Sequence, residues 1–514
     1  MNNSPRVTVV SSGAGWRRRR FIGTGLGAAG ATLAFAGPER APQEGPIVLG
    51  ARLEPFVDDY LIGELKGARL QLTHPRDEGP ALKFDKPWEG LFSAYTTIIR
   101  DGDLLRAYYR GAPTAGHDGR KEEIYCCAES RDGIVWTKPE LDLFEVGGSR
   151  RNNVVLANAA PSTHNFCPFI DGRKGAPAEE RYKALGGTME SGLIAWVSGD
   201  GLRWRKLREA AVIDKALVAY PYMFDSQNVP FWSETEGRYV CYFRVFKDKI
   251  RRIARCVSDD FLTWSRPELM EYSNPHGPAP IEHLYTNQTH PYFRAPHIYV
   301  AIAARFMPGR QVLTDAQAAA IGVHPKYFKD TSDAVFMTTR PGVPGRSGIY
   351  DRTFLEGFIR GGIGAQNWVS RTNYPALNVV STGPSEMSVY VNQDYAQPTA
   401  HLRRYSMRLD GFSSIAAGYA GGEMTTRPLT FSGSRLTINF ATSAAGGIRI
   451  ELQDGDGKAI PGFALGDCRE QIGNEIGRHV AWKGGDDVSA LAGKAIRMRV
   501  ALKDADLFSF RFGA

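Results

Sequence analysis

The chain has 514 residues, is 43% hydrophobic and 23% charged, and carries a formal net charge of +8. This composition predicts a folded, soluble protein of two to four domains. Its six cysteines show no C-x-x-C spacing, which argues against a zinc site and against a disulfide-dense scaffold, so we expect buried free thiols.

The N-terminus has the features of an export signal. Four consecutive arginines at 17–20 precede a short run rich in Gly and Ala and an A-F-A cleavage motif at 34–36. The string RRFI at 19–22 and the arginine before it fit the twin-arginine pattern. We therefore predict a cleaved twin-arginine signal at residues 1–36 and an exported protein, periplasmic or extracellular. A basic tail with a membrane anchor is the alternative.

Loss of this segment changes the charge of the mature chain. Residues 1–36 contain five arginines and no acid, so their removal lowers the formal net charge from +8 to +3. The basic character of the full chain therefore gives no support to nucleic-acid binding. No later segment is apolar for long enough to span a bilayer, so we expect no stable membrane insertion after cleavage.

One short motif recurs along the chain. Its three clear copies are Ser130/Asp132/Trp136, Ser198/Asp200/Trp204 and Ser258/Asp260/Trp264. The Asp and the residue after it favour a tight turn between two strands, and the Trp can cover the hairpin. Weaker copies at Thr339 and Ser406 bring the count to five units, spaced by 60 to 81 residues. This spacing predicts a propeller of four-stranded blades.

The units define an all-β fold. We predict a five-bladed β-propeller over 50–420 and a C-terminal β-sandwich over 425–514, where apolar and polar residues alternate between Gly-rich turns. The predicted blades lie at about 88–140, 160–210, 224–270, 282–345 and 366–415. Residues 53–75 are expected to form a strand pair that joins and closes the propeller. The best helical candidate is 313–322, with Asp315 as its cap.

The first strand of each blade lines the propeller axis, so polar residues at the starts of these strands should converge on one mouth, where ligand sites are favoured. Three blades offer a carboxylate there, and these are the predicted catalytic residues, Glu89, Asp225 and Glu282. The predicted substrate-binding residues are His164, Asn165, Gln227, Asn228, Arg244, Asn287, Arg305, Arg371 and Glu386.

Each candidate also has a structural interpretation. Glu89 could cap a loop, Glu282 could be a surface residue, and His164 could be a structural histidine. The arginines could bind an anionic sugar, such as a uronate or a sulfated unit, through planar bidentate contacts. Ordinary surface ion pairs are the alternative for any one of them.

The five-unit pattern of S-x-D-x-x-x-W hairpins, followed by the predicted sandwich, resembles the glycoside hydrolases of the five-bladed propeller superfamily, which includes families 32, 43, 62, 68 and 130. The strings PWEG, HNF, FDSQN, EHLYTN and YFRAPH are similar to those of exported bacterial proteins described as similar to the family 32 N-terminal domain. The resemblance implies Glu89 as nucleophile or base, Asp225 as the residue that orients substrate, and Glu282 as general acid. Families 32 and 43 usually carry Asp where this chain has Glu89.

The sequence therefore predicts a glycoside hydrolase that cleaves a glycosidic bond with a carboxylate acid and a carboxylate base or nucleophile. Its predicted partner is a glycan, with an anionic glycan as one option. The main alternative is a non-catalytic carbohydrate-binding or surface-interaction propeller. A third interpretation, a sialidase-like enzyme, requires a Tyr nucleophile and an arginine triad, which the sequence does not identify. No metal and no cofactor are predicted, and a structural calcium ion is left open.

Overall fold

Short strands joined by turns make up nearly all of the regular structure in residues 45–513, the part of the chain that the computed structural model describes. The predicted export signal at 1–36 lies outside these residues. Among the residues described, no helix has the length and apolar character that a membrane crossing needs. Five strands come first: β1 (Ile47–Gly50), β2 (Glu54–Pro55), β3 (Ile62–Lys66), β4 (Ala68–Leu72) and β5 (Arg76–Lys83).

The first three blades are four-stranded antiparallel sheets whose strands follow one another in chain order. Blade one contains β6 (Ala94–Asp101), β7 (Leu104–Gly111), β8 (Ile124–Ser130) and β9 (Val154–Leu156). Blade two contains β10 (Cys167–Ile170), β11 (Tyr182–Thr188), β12 (Gly192–Ser198) and β13 (Arg205–Lys206). Blade three contains β14 (Val229–Ser233), β15 (Arg238–Lys247), β16 (Ile250–Ser258) and β17 (Glu268–Leu269).

Blade four is larger than the others. Its strands are β18 (Glu271–Ser273), β19 (Leu284–Thr286), β20 (Thr289–Tyr292), β21 (Ala295–Met307), β22 (Thr331–Thr339) and β23 (Ile349–Asp351). The predicted helix lies in the long β21–β22 connection as α1 (Asp315–Ala320). Its N-cap is Thr314 and not Asp315, because the Thr314 hydroxyl accepts from the backbone N–H of Gln317 in a capping box. Short 3₁₀ turns occur at Ala178–Glu180, Ala365–Asn367 and Ser489–Leu491.

Blade five contains β24 (Tyr374–Pro375), β25 (Val380–Ser381), β26 (Glu386–Gln393) and β27 (His401–Arg408), and the described chain thus forms the predicted five blades. The last strands are β28 (Ser413–Ala417), β29 (Gly422–Thr426), β30 (Leu429–Phe431), β31 (Arg435–Gln453), β32 (Asn474–His479) and β33 (Arg497–Gly513). Of these, β30 pairs with β1. The other five strands form an eight-stranded sheet with β2, β3 and β4. The sandwich arrangement of this region stays a prediction.

The propeller is closed by β5, which pairs antiparallel with β27 as the outer strand of blade five. The sequence placed the closing strands at 53–75. In the structure, β3 pairs with β29 and β4 pairs with β28, so that stretch belongs to the C-terminal sheet. One N-terminal strand therefore ties the last blade to the start of the chain, and the strands before it tie the propeller to the C-terminal sheet.

The recurrent motif is part of the scaffold, as predicted. In each clear copy the Ser ends the third strand of its blade, its hydroxyl donates to the Asp carboxylate at 3.0 Å, and the Asp accepts two following backbone N–H groups. The Trp indole N–H donates to the carbonyl three residues earlier, at 3.1 to 3.2 Å. The residue at that carbonyl has a positive φ in every copy: Gly133, Gly201 and Phe261.

A buried ion pair joins the N-terminal segment to blade four. The guanidinium of Arg340 donates to both oxygens of Asp58, at 2.8 and 3.0 Å, and to Glu54 at 3.1 Å. All three side chains are buried. Burial raises the pKa of Glu54, but the charge of Arg340 and the hydrogen bond from His297 outweigh it and lower the pKa to about 2. The arginine therefore compensates two carboxylates that have no access to water.

Gly201→Ala tests the close packing of the hairpin turn against the neighbouring blade. A methyl group at Gly201, whose φ is +75°, would lie 2.6 Å from the hydroxyl of Tyr108. We expect a loss of about 1–3 kcal/mol in the free energy of unfolding, measured by denaturant titration. Gly237→Ala is the matched control, since its φ is +65° with nothing within 4 Å. Equal losses in both variants would contradict the packing explanation.

Arg340→Met tests the buried ion pair. We expect a loss of about 3–5 kcal/mol in the free energy of unfolding at pH 7, because buried Asp58 loses its hydrogen-bonded counter-charge and buried Glu54 loses one of its cationic partners. The stability that Glu54 contributes is present above its unfolded-state pKa of 4.5 and is lost as the pH falls towards 2. The difference in the free energy of unfolding between wild type and variant should therefore become smaller below pH 4.5. Arg151→Met removes an exposed ion pair and serves as control, and it should change the free energy of unfolding little. A difference that is independent of pH would contradict this account.

Candidate active site

Two adjoining hollows lie where the blades converge. The larger, which we call the axial cavity, has a volume of about 660 Å³ and is lined by the β7–β8 loop, the β11–β12 turn and the segments before β10 and β14. The smaller, the recess, is lined by blades one and five and by the β21–β22 loop. Asp118 and Asp225 line both hollows, so the two are continuous at these carboxylates.

Asp225 is anchored from one side. Its Oδ2 accepts a hydrogen bond from Arg244 at 2.5 Å and another from the hydroxyl of Tyr222 at 2.9 Å. Burial raises the pKa of Asp225, but the positive charges of Arg244 and Arg371 outweigh it and hold the pKa well below its usual range. Asp225 is therefore an ionised carboxylate at neutral pH.

Asp118 meets Asp225 at the mouth of the cavity. About 46% of its side chain is exposed. Partial burial and the negative charge of Asp225 raise the pKa of Asp118 above its ordinary value. Two carboxylates this close require a positive partner or a shared proton between them.

His164 is held by a buried carboxylate. Its Nδ1 lies 3.0 Å from Oε2 of Glu123, and both side chains are buried. Burial raises the pKa of Glu123, but the hydrogen bond from His164 and the charge of Arg110 together outweigh it, so the pKa is lowered. Because an ionised Glu123 can only accept, Nδ1 carries a proton, and Nε2 is the ring nitrogen that faces Asp118. Nε2 lies 3.8 Å from Oδ2 of Asp118, and no hydrogen-bond partner for it is found among residues 45–513.

The recess is lined by tyrosines and arginines. Arg371 lies over the rings of Tyr285, Tyr327 and Tyr395, at 5.5, 5.0 and 5.9 Å from their centroids. Within the described residues, no hydrogen bond or ion pair to a carboxylate is found for Arg371. Its guanidinium is thus a cation that lines the recess without a protein counter-ion at contact distance.

Two further arginines complete a cluster of which the sequence predicted Arg244 and Arg371 but not Arg110. Arg110 pairs with Glu123 at 3.8 Å and stacks on Tyr95, while Arg244 pairs with Asp225 and stacks on Tyr285. Each therefore has a carboxylate partner. Because Arg371 alone of the three has none, the cluster differs from a triad that shares one anion.

The backbone around the site adopts an unusual conformation. Positive φ angles occur at Tyr95, Asn165, Phe224 and Arg371, which lie in or beside the lining of the two hollows. Such conformations are costly for residues other than glycine and concentrate at functional sites. The amides of Asn165 and Asn228 both donate to the carbonyl of Phe224, at 3.2 and 3.3 Å. These two predicted binding residues thus hold the turn that presents Asp225.

Two other predicted binding residues stabilise the axis. The amide of Gln227 donates to the hydroxyl of Thr97 at 2.6 Å and accepts from Gln288 at 2.8 Å, which links blades one, three and four. Asn287 accepts from the backbone of Thr289 at 2.9 Å. Gln227 and Asn287 are both fully buried, so their amides support the site from behind.

The three predicted catalytic carboxylates do not converge. Glu89 is fully buried and accepts from the hydroxyl of Tyr109 and the ammonium of Lys138, each at 2.6 Å. It lines neither hollow, because these two partners hold it inside blade one. Of the predicted three, Asp225 is the residue that the structure places at the axial cavity.

Glu282 and Arg305 line a separate cavity of about 410 Å³ together with Trp368. Glu282 pairs with Arg352 at 2.8 Å and with Arg305 at 3.3 Å, and Arg305 also pairs with Asp333. These contacts satisfy the carboxylate of Glu282 away from Asp225.

Glu386 lies apart from both the axial cavity and the cavity of Glu282. It pairs with Arg404 at 2.9 Å and lines a hollow between blade five and the C-terminal sheet. The predicted residues that the structure brings together at the axial cavity and recess are therefore His164, Asp225, Arg244 and Arg371, with Asn165 and Asn228 beside them.

The site residues that the sequence reasoning missed are mainly on blade one. Asp118 and Glu123 lie in the β7–β8 loop, and Arg110 lies on β7. A usable signal was present in the string RGAPTAGHDGRKEE, in which the twelve-residue loop between two apolar strands carries six titratable side chains. The prediction followed only the first strand of each blade and so passed over it.

Comparison with known proteins gives a distant structural likeness. No protein-family model and no curated protein matches the chain. An N-acetylgalactosamine deacetylase from F. plautii, in complex with blood group B trisaccharide, is 12% identical over 67% of this chain and 96% of its own, with a TM-score of 0.41. A fructofuranosidase from Schwanniomyces occidentalis, complexed with fructosylnystose, is 12% identical over 86% and 99%, with a TM-score of 0.38.

An α-L-arabinofuranosidase from Podospora anserina, in complex with cellotriose, is 10% identical over 65% of this chain and 96% of its own, with a TM-score of 0.39. Glycoside hydrolases and a deacetylase are thus both among the similar structures. At these identities and TM-scores the likeness assigns no reaction to this chain. Its function has to be inferred from its own site.

Glu89→Gln tests the buried structural role seen here. The ammonium of Lys138 pairs with buried Glu89 and with Asp85, whose side chain is 62% exposed. We expect Glu89→Gln to lower the free energy of unfolding by about 1–3 kcal/mol, and the matched variant Asp85→Asn by less than about 1 kcal/mol. Denaturant titration measures both. A stable Glu89→Gln protein would contradict this role.

Proposed function

We propose that the protein is a glycoside hydrolase that acts on an acidic glycan in the axial cavity. The observation that carries this proposal is the placement of Arg371, a cation without a carboxylate partner, in an aromatic recess that joins the cavity at Asp118 and Asp225. Concave sites with aromatic walls and a few convergent polar groups are typical of ligand binding.

The recess supports recognition of an acidic group. A planar guanidinium can donate two parallel hydrogen bonds to a carboxylate or sulfate. The rings of Tyr327 and Tyr395 hold Arg371 in place at the wall of the recess. The positive charge of Arg371 therefore favours a uronate or sulfated sugar over a neutral one.

The carboxylate cluster supports hydrolysis next to that group. Asp225 is fixed by Arg244 and Tyr222, whereas Asp118 is partly exposed and faces the cavity. Oxygen atoms of these carboxylates can accept hydrogen bonds from a water molecule and orient it towards a bound sugar. In the reaction, the oxygen of that water bonds to the anomeric carbon and the water gives one proton to a carboxylate of the pair. The glycosidic C–O bond breaks, and the leaving oxygen takes one proton from the solvent, so that one water molecule is consumed for each bond cleaved.

The identity of the substrate as a glycan draws support from the resemblance described for the sequence. The separation of Glu89 and Glu282 from the cavity departs from that resemblance and keeps the non-catalytic glycan-binding protein as the competing function. We also propose that the protein is exported, on the strength of the predicted signal at 1–36.

The decisive experiment is a panel of neutral, uronate-containing and sulfated oligosaccharides tested for binding and for release of reducing ends. We expect turnover of an acidic member. Asp118→Asn should lower kcat by about 10²-fold or more, and Arg371→Gln should raise KM at least about tenfold. Asp142→Asn, an exposed residue with positive φ that Asn tolerates, is the control.

Two outcomes would overturn parts of this proposal. Binding of a glycan without any turnover by the wild type would favour the non-catalytic function. Equal cleavage of the acidic glycan and its carboxyl-reduced or desulfated form, with no effect of Arg371→Gln, would contradict the role of the charge.

A further inference from the structure

We infer that Asp118, His164 and Asp225 together bind a divalent cation that accepts mixed nitrogen and oxygen ligands, such as Zn²⁺ or Mn²⁺. Each of these residues directs one potential ligand atom to a common point, and the three atoms lie within 4.8 Å of one another. The sequence analysis predicted no metal, so this inference departs from that prediction.

The distances suit a shared cation better than direct contacts. Nε2 of His164 and Oδ2 of Asp118 are 3.8 Å apart, which is too far for a hydrogen bond. Two ligands at about 2.0–2.2 Å from a tetrahedral Zn²⁺ are separated by about 3.4 Å. A small rotation of Asp118, whose side chain is partly exposed, would close the remaining difference.

The free ring nitrogen is an independent indication of a ligand. His164 is buried to 1% exposure, yet its Nε2 has no hydrogen-bond partner among the described residues. Buried polar atoms are nearly always paired, so an orphan needs an explanation such as an unseen water or ion. Because Nδ1 faces Glu123, Nε2 is the ring nitrogen that is available to a metal.

The surrounding contacts are those of a metal site. A histidine that binds a metal commonly donates its other nitrogen to a carboxylate, which fixes the ring and its tautomer, as Glu123 does here. Arg244 and Tyr222 occupy Oδ2 of Asp225 and so orient the rest of that carboxylate. Two of the three ligands are therefore held in place before any cation binds.

The ligand set selects the class of cation. Ca²⁺ and Mg²⁺ prefer oxygen ligands alone, whereas an imidazole together with two carboxylates suits Zn²⁺ or Mn²⁺. Three protein ligands leave at least one position open to the cavity, as in catalytic rather than structural sites. If the proposed hydrolase function holds, that position is where the cation would bind the reacting water or a sugar oxygen.

Metal content and binding test this inference without reference to activity. The full chain is freed of metal with a chelator and titrated with Zn²⁺, Mn²⁺, Ca²⁺ and Mg²⁺ by calorimetry, and bound metal is measured by mass spectrometry. We expect one equivalent of Zn²⁺ or Mn²⁺ and a rise in Tm on binding. His164→Gln and Asp118→Asn should abolish stoichiometric binding, and Glu123→Gln should weaken it by about 10–100-fold.

The controls separate a local effect from misfolding. His479→Gln alters an exposed histidine in the C-terminal sheet and should bind metal as the wild type does. Asp118 is partly exposed, so Asp118→Asn should keep the unfolding midpoint of the metal-free wild type. A wild type that binds neither Zn²⁺ nor Mn²⁺, or a His164→Gln variant that binds as tightly as wild type, would overturn the inference.

The two proposals fail in different ways. A metal-free protein that hydrolyses acidic glycans would refute the cation site and leave the hydrolase function standing. A protein that binds one equivalent of metal but cleaves no glycan would refute the hydrolase function and leave the cation site standing.

Discussion

The ion pair between Arg244 and Asp225 is the interaction on which the axial site depends. Arg244 lies on a strand of blade three, fully buried, and its guanidinium stacks on Tyr285 of blade four. It keeps Asp225 ionised and fixes one of its oxygens at the point where the cavity and the recess meet. The raised pKa of Asp118 and the need for a positive partner near it follow from burial and from that fixed negative charge.

Buried charge has two different roles in this molecule. Arg340 forms three hydrogen bonds of ordinary length with Glu54 and Asp58 and its network is closed, which suits a structural joint. The axial network is open, because within residues 45–513 Arg371 has no carboxylate at contact distance and Nε2 of His164 has no hydrogen-bond partner. Unsatisfied groups of this kind are costly in a scaffold and useful in a binding site.

The scaffold was predictable from the sequence because its signals are local. The Ser, Asp and Trp of each hairpin form their hydrogen bonds within the same seven residues, so the motif reports the end of the third strand in its blade wherever it occurs. The closing strand was not predictable in the same way. Residues 53–75 and β5 both contain alternating strands, and only the pairing of β5 with β27, more than 300 residues away, decides which one closes the ring.

The site was predictable in part for a related reason. His164 and Asp225 precede the first strands of their blades, so the register placed them at the axis. Glu89 has the same position in its own blade, but it forms an ion pair with Lys138, 49 residues later. No local sequence pattern reveals that partner. Asp118 and Glu123 lie in a loop whose course depends on packing against the neighbouring segment that carries His164.

The measurement that tests the central claim most directly is a crystal structure of the full chain with an acidic oligosaccharide bound. We expect the carboxylate or sulfate of the ligand within hydrogen-bonding distance of Arg371, and a glycosidic oxygen beside Asp118 and Asp225. A ligand seated instead in the separate cavity of Glu282 and Trp368, with the axial cavity empty, would contradict the account.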